Sequence, residues 1–238
     1  MYQYHNERPS AHYLFDVAQG KFYDQTAVNI FGYNRAVGSS YETIWNNGAT
    51  YVHPSSAVTM DLVSTSASDT MDVLVSGLDA NYDQITETVT LTGTSAVTTS
   101  ASFLAINSAI ILSGSNVGNI SISNGGTTYG YIEATVGTTQ ACVYTVPAGY
   151  SLYLFRIDVN SATATGSQYL SIRNRVETST GRILRVAEAT LAESQVSYDR
   201  QVPFKIGEKT KFEFEAKSSS STNTCAIFVE AVLIKNLE

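Results

Sequence analysis

The chain reads as an all-β protein, built of antiparallel β-sandwich domains of jelly-roll-like type behind an extended, aromatic-rich N-terminal arm. Three observations predict this class. In the run from Gly77 to Leu112, Ile85, Val89 and Leu91 alternate with Thr86, Thr88 and Thr90, the period-two pattern of a half-buried strand. Strand-like blocks of this kind recur roughly every 10 to 15 residues, separated by Gly, Ser and Asn turns. Aromatic side chains, by contrast, crowd into the first 55 residues, where no periodicity is sustained.

That first segment, 1–55, holds Tyr13, Phe15, Phe22, Tyr23, Phe31, Tyr33, Tyr41 and Trp45, the only Trp of the chain. Pro9, Gly20, Gly32, Gly38 and the Asn46-Asn47-Gly48 turn interrupt it. An aromatic segment with no core of its own must pack against something: its own β domain, or a neighbouring subunit. These eight aromatics are therefore the candidate partner-interface residues, because aromatic side chains bury large areas at low entropy cost.

The segment 56–139 is expected to form a first sandwich. Strands are predicted near 58–62, 71–75, 84–91, 102–112, 118–123 and 128–136, with Gly125-Gly126 as a tight hairpin turn. A second sandwich over 140–238 would use strands near 141–146, 152–159, 168–176, 182–189, 211–216 and 224–234, with a turn at Pro147–Tyr150. Val186–Val196 is the one stretch that reads as a short helix. At 238 residues, two separate sandwiches and one composite sheet both fit.

Composition narrows the function. Charged residues are 15% of the chain against about 25% in typical soluble proteins, and Ser plus Thr supply about a quarter of positions. The net charge of -7 and the absence of a Lys/Arg cluster argue against nucleic acid as a partner. No apolar run reaches the roughly 20 residues of a membrane helix, and the first residues lack the apolar region of a secretory signal. Cys142 and Cys225 sit in apolar strand-like runs and read as buried free thiols, a disulfide being open only if their strands are neighbours.

Candidate chemistry is thin. His5, His12 and His53 read as polar surface residues, since no converging ligands complete a metal site. Asp79-Ala80-Asn81-Tyr82-Asp83 opens like a calcium loop, but Gln84 and Thr90 stand where the glycine and the bidentate Glu belong, so a polar turn is expected. Glu213 and Glu215 would lie about 7 Å apart on one strand face, a spacing that paired-carboxylate hydrolysis could use. Lys211 on the same face favours a solvated strand instead. No nucleophile elbow or phosphate loop is present. The chain is thus expected to be no enzyme, with no cofactor and no metal.

One resemblance adds to this reading. Val28–Gly48, the block GLDANYDQITETVTLTGTSAVTT, the Phe103–Ile106 strand, VGNISI at 117–122, YTVPAGYSLYL at 144–154 and VPFKIGEKTKFEFEAKSSSS at 202–221 together resemble virion proteins of tailed bacteriophages, a group frequent in marine and cyanobacterial phages. The resemblance implies a non-enzymatic structural protein on the capsid surface, of decoration or cement type, assembled in the host cytoplasm. Its implied partners are the major capsid protein and neighbouring copies of itself, a trimer being the first expectation. On this reading, removing residues 1–50 would leave a folded β protein unable to attach. A head-fibre or receptor-binding module reading host carbohydrate through Asp79, Asn81, Tyr82 and Asp83 is the alternative, as is a neck or tail adaptor.

Overall fold

The computed structural model describes residues 13–162, 169–185, 187–191, 195–219 and 223–237. The chain is all-β with antiparallel pairing throughout its described ladders. One short helix, α1 (Tyr13–Ala18), precedes β1 (Gln25–Val37), β2 (Glu42–Thr43), β3 (Asp61–Ser64), β4 (Asp72–Leu78), β5 (Gln84–Thr90) and β6 (Val97–Thr98). Next come β7 (Ala105–Ile111), β8 (Ile120–Asn124), β9 (Thr127–Ile132), β10 (Val143–Thr145), β11 (Tyr150–Ala162) and β12 (Leu170–Glu177). The last are β13 (Ile183–Leu184), β14 (Glu188–Leu191), β15 (Gln195–Ile206), β16 (Lys211–Ser218) and β17 (Asn223–Lys235).

The strands gather around two separate hydrophobic cores. The smaller unit joins a sheet of order β6-β3-β8-β9 to one of order β5-β4-β7. Met60, Leu62, Val73, Val75, Phe103, Ile120, Ile122 and Ile132 fill its core. Each such fully buried side chain contributes roughly 1.5–3 kcal/mol relative to exposure. The turn between β8 and β9 has the expected chemistry: Asn124 pairs with Thr127, and Gly125 and Gly126 both take positive φ, at 57° and 82°.

The larger unit contains a sheet of order β1-β17-β11-β15 and another of order β10-β16-β12-β13, with β14 on β12 and β2 on β16. Both sheets feed one core. From the first come Ile30, Leu152, Leu154, Ile227 and Val229; from the second, Ile172, Val176, Phe212, Phe214 and Ala216. Strand β17 alternates buried and half-buried positions through most of its length, as a central strand should.

Here the structure departs from the expected arm. Gln25–Val37 is a full strand, paired with β17 from Gln25↔Ile234 to Val37↔Asn223, and Ile30, Val37 and Ile44 lie in the larger core. Residues 25–45 therefore belong to the body of the molecule, and 58–139 is an insertion between β1 and the rest of its own sheet. Gly32 shows how tight the junction is: a Cβ there would sit 2.3 Å from the Ile44 carbonyl oxygen and 2.5 Å from the Cys142 nitrogen. Tyr13–Ala18 is helical rather than extended. The short helix expected near Val186–Val196 is not seen where residues are described: Glu188–Leu191 is a strand and Gln195 opens another.

The two units are joined by more than the chain. Trp45, Tyr51 and Val143 form a small buried cluster with Tyr131 and Ala141. The Asn107 side chain imitates a backbone, its Nδ2 donating to the Thr145 carbonyl at 3.0 Å and its Oδ1 accepting from the Thr145 N–H at 2.8 Å. The Tyr51 hydroxyl donates to the Tyr129 carbonyl at 2.9 Å, and Arg35 forks onto Glu133 at 3.0 and 3.1 Å.

Candidate interaction surface

The structure sorts the candidate aromatics by burial. Tyr13, Phe15, Tyr23 and Phe31 are exposed, at 40, 59, 66 and 38% of their surface. Tyr33 and Tyr41 are half-buried. Phe22 and Trp45 are buried, at 5 and 3%, and this corrects their assignment as interface residues. Phe22 instead packs with Val17 onto Val232, Phe155 and Ile234, fixing α1 against the outer face of the first sheet. Trp45 stacks edge-on to Tyr51 at 5.1 Å and donates its indole N–H to the Ala49 carbonyl. Leu14, exposed at 48%, joins Tyr13, Phe15 and Tyr23 on or beside α1; it lies between two candidates, and a count of aromatics alone passes over it.

Tyr41 is held by charges. The Arg173 guanidinium lies 3.6 Å from its ring centroid and the Lys217 ammonium 4.6 Å, while its hydroxyl donates to Glu188. Burial first, then the Glu188 carboxylate, raises its pKa.

The strand KFEFEAK has the alternation expected of it but not the environment. Glu213 and Glu215 are buried, at 1 and 4% exposure, not solvated. Register explains how. On β12 and β16, Arg173 faces Glu215, Arg175 faces Glu213 and Glu177 faces Lys211, so each rung pairs opposite signs. Arg173 bonds Glu215 at 2.6 Å, Arg175 bonds Glu213 at 2.9 Å and Glu177 at 3.1 Å, and Lys211 bonds Glu177 at 3.1 Å. Segment 43–53 covers the rungs: the Thr43 hydroxyl donates to Glu213 and accepts from the Tyr51 N–H, both at 2.8 Å. Burial raises the Glu213 pKa, Thr43 and Arg175 opposing it. With their oxygens engaged by cations and a hydroxyl, the two carboxylates form a structural ladder with no free acid–base pair.

The remaining candidates also resolve. His53 is not a surface residue: its Nε2 is buried without a hydrogen-bond partner, and its ring sits edge-on to Tyr51 at 4.9 Å. Burial, with Lys211 and Arg175 nearby, pushes its pKa down to about 3. His5 and His12 lie outside the described residues. In the 79–83 turn, Asp79 Oδ1 accepts from the Asn81 and Asp83 N–H groups at 2.8 and 2.9 Å, leaving Tyr82 at φ 67°. That carboxylate is spent on its own backbone, as a polar turn requires. No group of three or more His, Cys, Asp and Glu able to hold a metal occurs among the described residues. Cys142 and Cys225 are buried free thiols; burial raises both, Cys225 to about 12.

No helix of the described residues is long and apolar enough to cross a membrane. No family model matches this chain, and no curated protein matches it. Among solved structures, the infectious bursal disease virus VP2 subviral particle aligns over 90% of this chain and 77% of that one, at 10% identity and a TM-score of 0.21. The structure of the Gt strain of infectious bursal disease virus gives 90 and 78% coverage, 11% identity and the same TM-score of 0.21. Superposition at that level is too poor to argue from, and the fold rests on its own strands and cores.

Proposed function

We propose that this chain is a non-enzymatic virion structural protein that binds and stabilises a capsid lattice as a decoration or cement protein. The observation that carries the reading is the exposed aromatic surface on and around α1 and β1: Tyr13, Leu14, Phe15, Tyr23 and Phe31. Exposed large apolar side chains that gather in one stretch of chain, here three consecutive residues of α1 with Tyr23 and Phe31 following, mark an interaction site. The resemblance of the ordered sequence blocks to tailed-phage virion proteins supplies the virion context of this reading. The paired sheets around each core act in this reading as sandwiches, rigid platforms for that surface. Engagement of Glu213 and Glu215 in the ladder supports the non-enzymatic part. The partners are the major capsid protein and neighbouring copies, on a capsid surface assembled in the host cytoplasm.

Copy number in purified particles, measured by quantitative mass spectrometry against the major capsid protein, tests the reading. Hundreds of copies are expected. A dozen or fewer would overturn it in favour of a neck or tail position. Within a particle-binding assay, Phe15→Ser with Tyr23→Ser should abolish attachment while leaving the circular dichroism spectrum unchanged; undiminished attachment would remove α1 from the interface.

A further inference from the structure

The outer face of the β1-β17-β11-β15 sheet is only half covered. Helix α1 lies over β17 and the near edge of β11, where Val17 and Phe22 meet Val232, Ile234 and one side of Phe155. Beside it, from Tyr13 of α1 and the end of β17 across β11 to β15, runs an open groove of about 710 Å³. Its floor is Ser151, Tyr153 and Phe155, and Lys205, Glu208 and Asn236 stand along it. We infer that this groove binds an acidic saccharide, a chain of pyranose rings carrying carboxylates.

The aromatic and polar lining groups support that chemistry. Tyr153 and Phe155 are half-buried, offering aromatic surface to the C–H faces of a sugar ring. Lys205 is the cross-strand neighbour of Tyr153, its ammonium 5.9 Å from the ring centroid, and it has no carboxylate partner among the described residues. It is placed to meet an anion beside a stacked ring. The Ser151 hydroxyl donates to Asn236 Oδ1 at 2.7 Å, which leaves the Asn236 amide N–H groups for a ligand oxygen. Glu208 accepts the Gly149 N–H with Oε2, leaving Oε1 to accept from a hydroxyl. A carboxylate in the groove disfavours an anion that brings no hydroxyl donors but suits a ligand that carries hydroxyls beside each negative charge.

An extended peptide adding to the sheet edge fits less well. Between Leu154↔Phe204 and Arg156↔Asp199 the β11/β15 register jumps, leaving residues 200–203 as a bulge beside the groove. Pro203, which lines the groove, has no N–H to donate. The groove therefore recognises side-chain and ring chemistry rather than backbone.

Calorimetric titration of the full chain with hexagalacturonate tests the assignment, with maltohexaose and hexaglutamate as comparison probes. Hexagalacturonate should bind and the other two should not. Tyr153→Ala should weaken binding ~10-fold, the loss of one aromatic contact. Lys205→Glu, an exposed change that leaves folding alone, should abolish it. No binding by the unmodified chain, equal binding of hexaglutamate, or unchanged affinity in Lys205→Glu would each overturn the proposal. Binding of maltohexaose as tight as hexagalacturonate would overturn the acidic specificity. Particle copy number and attachment do not enter this readout.

Discussion

The two units bury carboxylates by opposite means. In the larger, Glu213 and Glu215 are charges neutralised by charges, in a ladder roofed by segment 43–53. In the smaller, Asp69 is fully buried and held by neutral donors: the Ser64 hydroxyl at 2.5 Å and the Val117 and Gly118 N–H groups at 2.8 and 2.9 Å. Burial pushes both pKa values up. At Asp69 the three donors outweigh it and the net shift is down; at Glu213 burial wins over Thr43 and Arg175 and the net shift is up. A neutral backbone N–H costs far less to desolvate than a guanidinium, which brings an ion's desolvation penalty of its own. Closure differs as well. The smaller unit is drawn from one stretch of chain, while the larger depends on β1 meeting β17 across almost the whole sequence.

The largest effect should come from breaking that closure. Removing residues 1–50 deletes β1 and withdraws Ile30, Val37 and Ile44 from the core, so the larger unit should fail to fold. The smaller unit, with its core between residues 58 and 132, should persist. Hydrogen exchange read by mass spectrometry checks this: protection should vanish from β11, β16 and β17 and survive in β4, β7 and β8. Full protection in β17 would mean that 1–50 is a detachable arm after all.

Next in size is the ladder. Glu213→Ala leaves Arg175 and Thr43 facing an empty buried site, and breaking such a pair costs about 3 kcal/mol, the low end of the range because Arg175 keeps Glu177. Urea unfolding followed at the larger unit measures it. A change under about 0.5 kcal/mol would show that water reaches the rung and that the roof over it is loose.

How much of this was readable beforehand follows the same division. Local chemistry was legible: the Gly125-Gly126 hairpin, the Pro147–Tyr150 turn and the alternation of Lys211–Ala216 all stand where the residues put them. Besides the two-residue β2 and β6, the strands missed are β1 and β15, the two edges of one sheet. Along β15 nearly every position is exposed or half-exposed, so no period-two burial is written into it. In β1, buried Gln25, Gly32 and Asn34 stand where apolar residues would have signalled a strand. The candidate surface was half legible for a related reason. An aromatic residue says that it will be covered, not by what, and Phe22 and Trp45 found cover within the chain. Glu213 likewise looks solvated until Thr43, far away in sequence, is seen above it.

The opposite pKa shifts make pH a sharper instrument than either substitution. Asp69 has a lower pKa folded than unfolded, so its contribution is present above the unfolded value near 3.8 and is lost as pH falls below it. Glu213 has a raised folded pKa, so the folded larger unit holds its proton more tightly. That contribution is greatest below about 4.5 and declines as pH rises through the folded pKa. On acidification from pH 6 to 3, the smaller unit should lose stability from this source while the larger gains. Asp69→Asn should cost the smaller unit about 2 kcal/mol at pH 7 and flatten its acid limb. An unaltered acid limb in that variant would place the titration elsewhere.

The smallest expected effect lies at the joint. Asn107→Ala removes two hydrogen bonds and leaves the Thr145 N–H and carbonyl unpaired beside the smaller unit, a loss of about 1–2 kcal/mol. Neither core contains Asn107, so neither unit's own stability should fall; what should fall is their coupling. A single thermal transition in the unmodified chain should split, the two steps separating as the clamp is lost. Arg35→Ala offers the contrast. Its fork to Glu133 also spans the joint, but Arg35 is 60% exposed and its pair is screened, so the transition should stay single. If both variants split the transition, the units are held mainly by charge. If neither does, the Trp45, Tyr51 and Val143 cluster alone is enough to make the two cores melt as one.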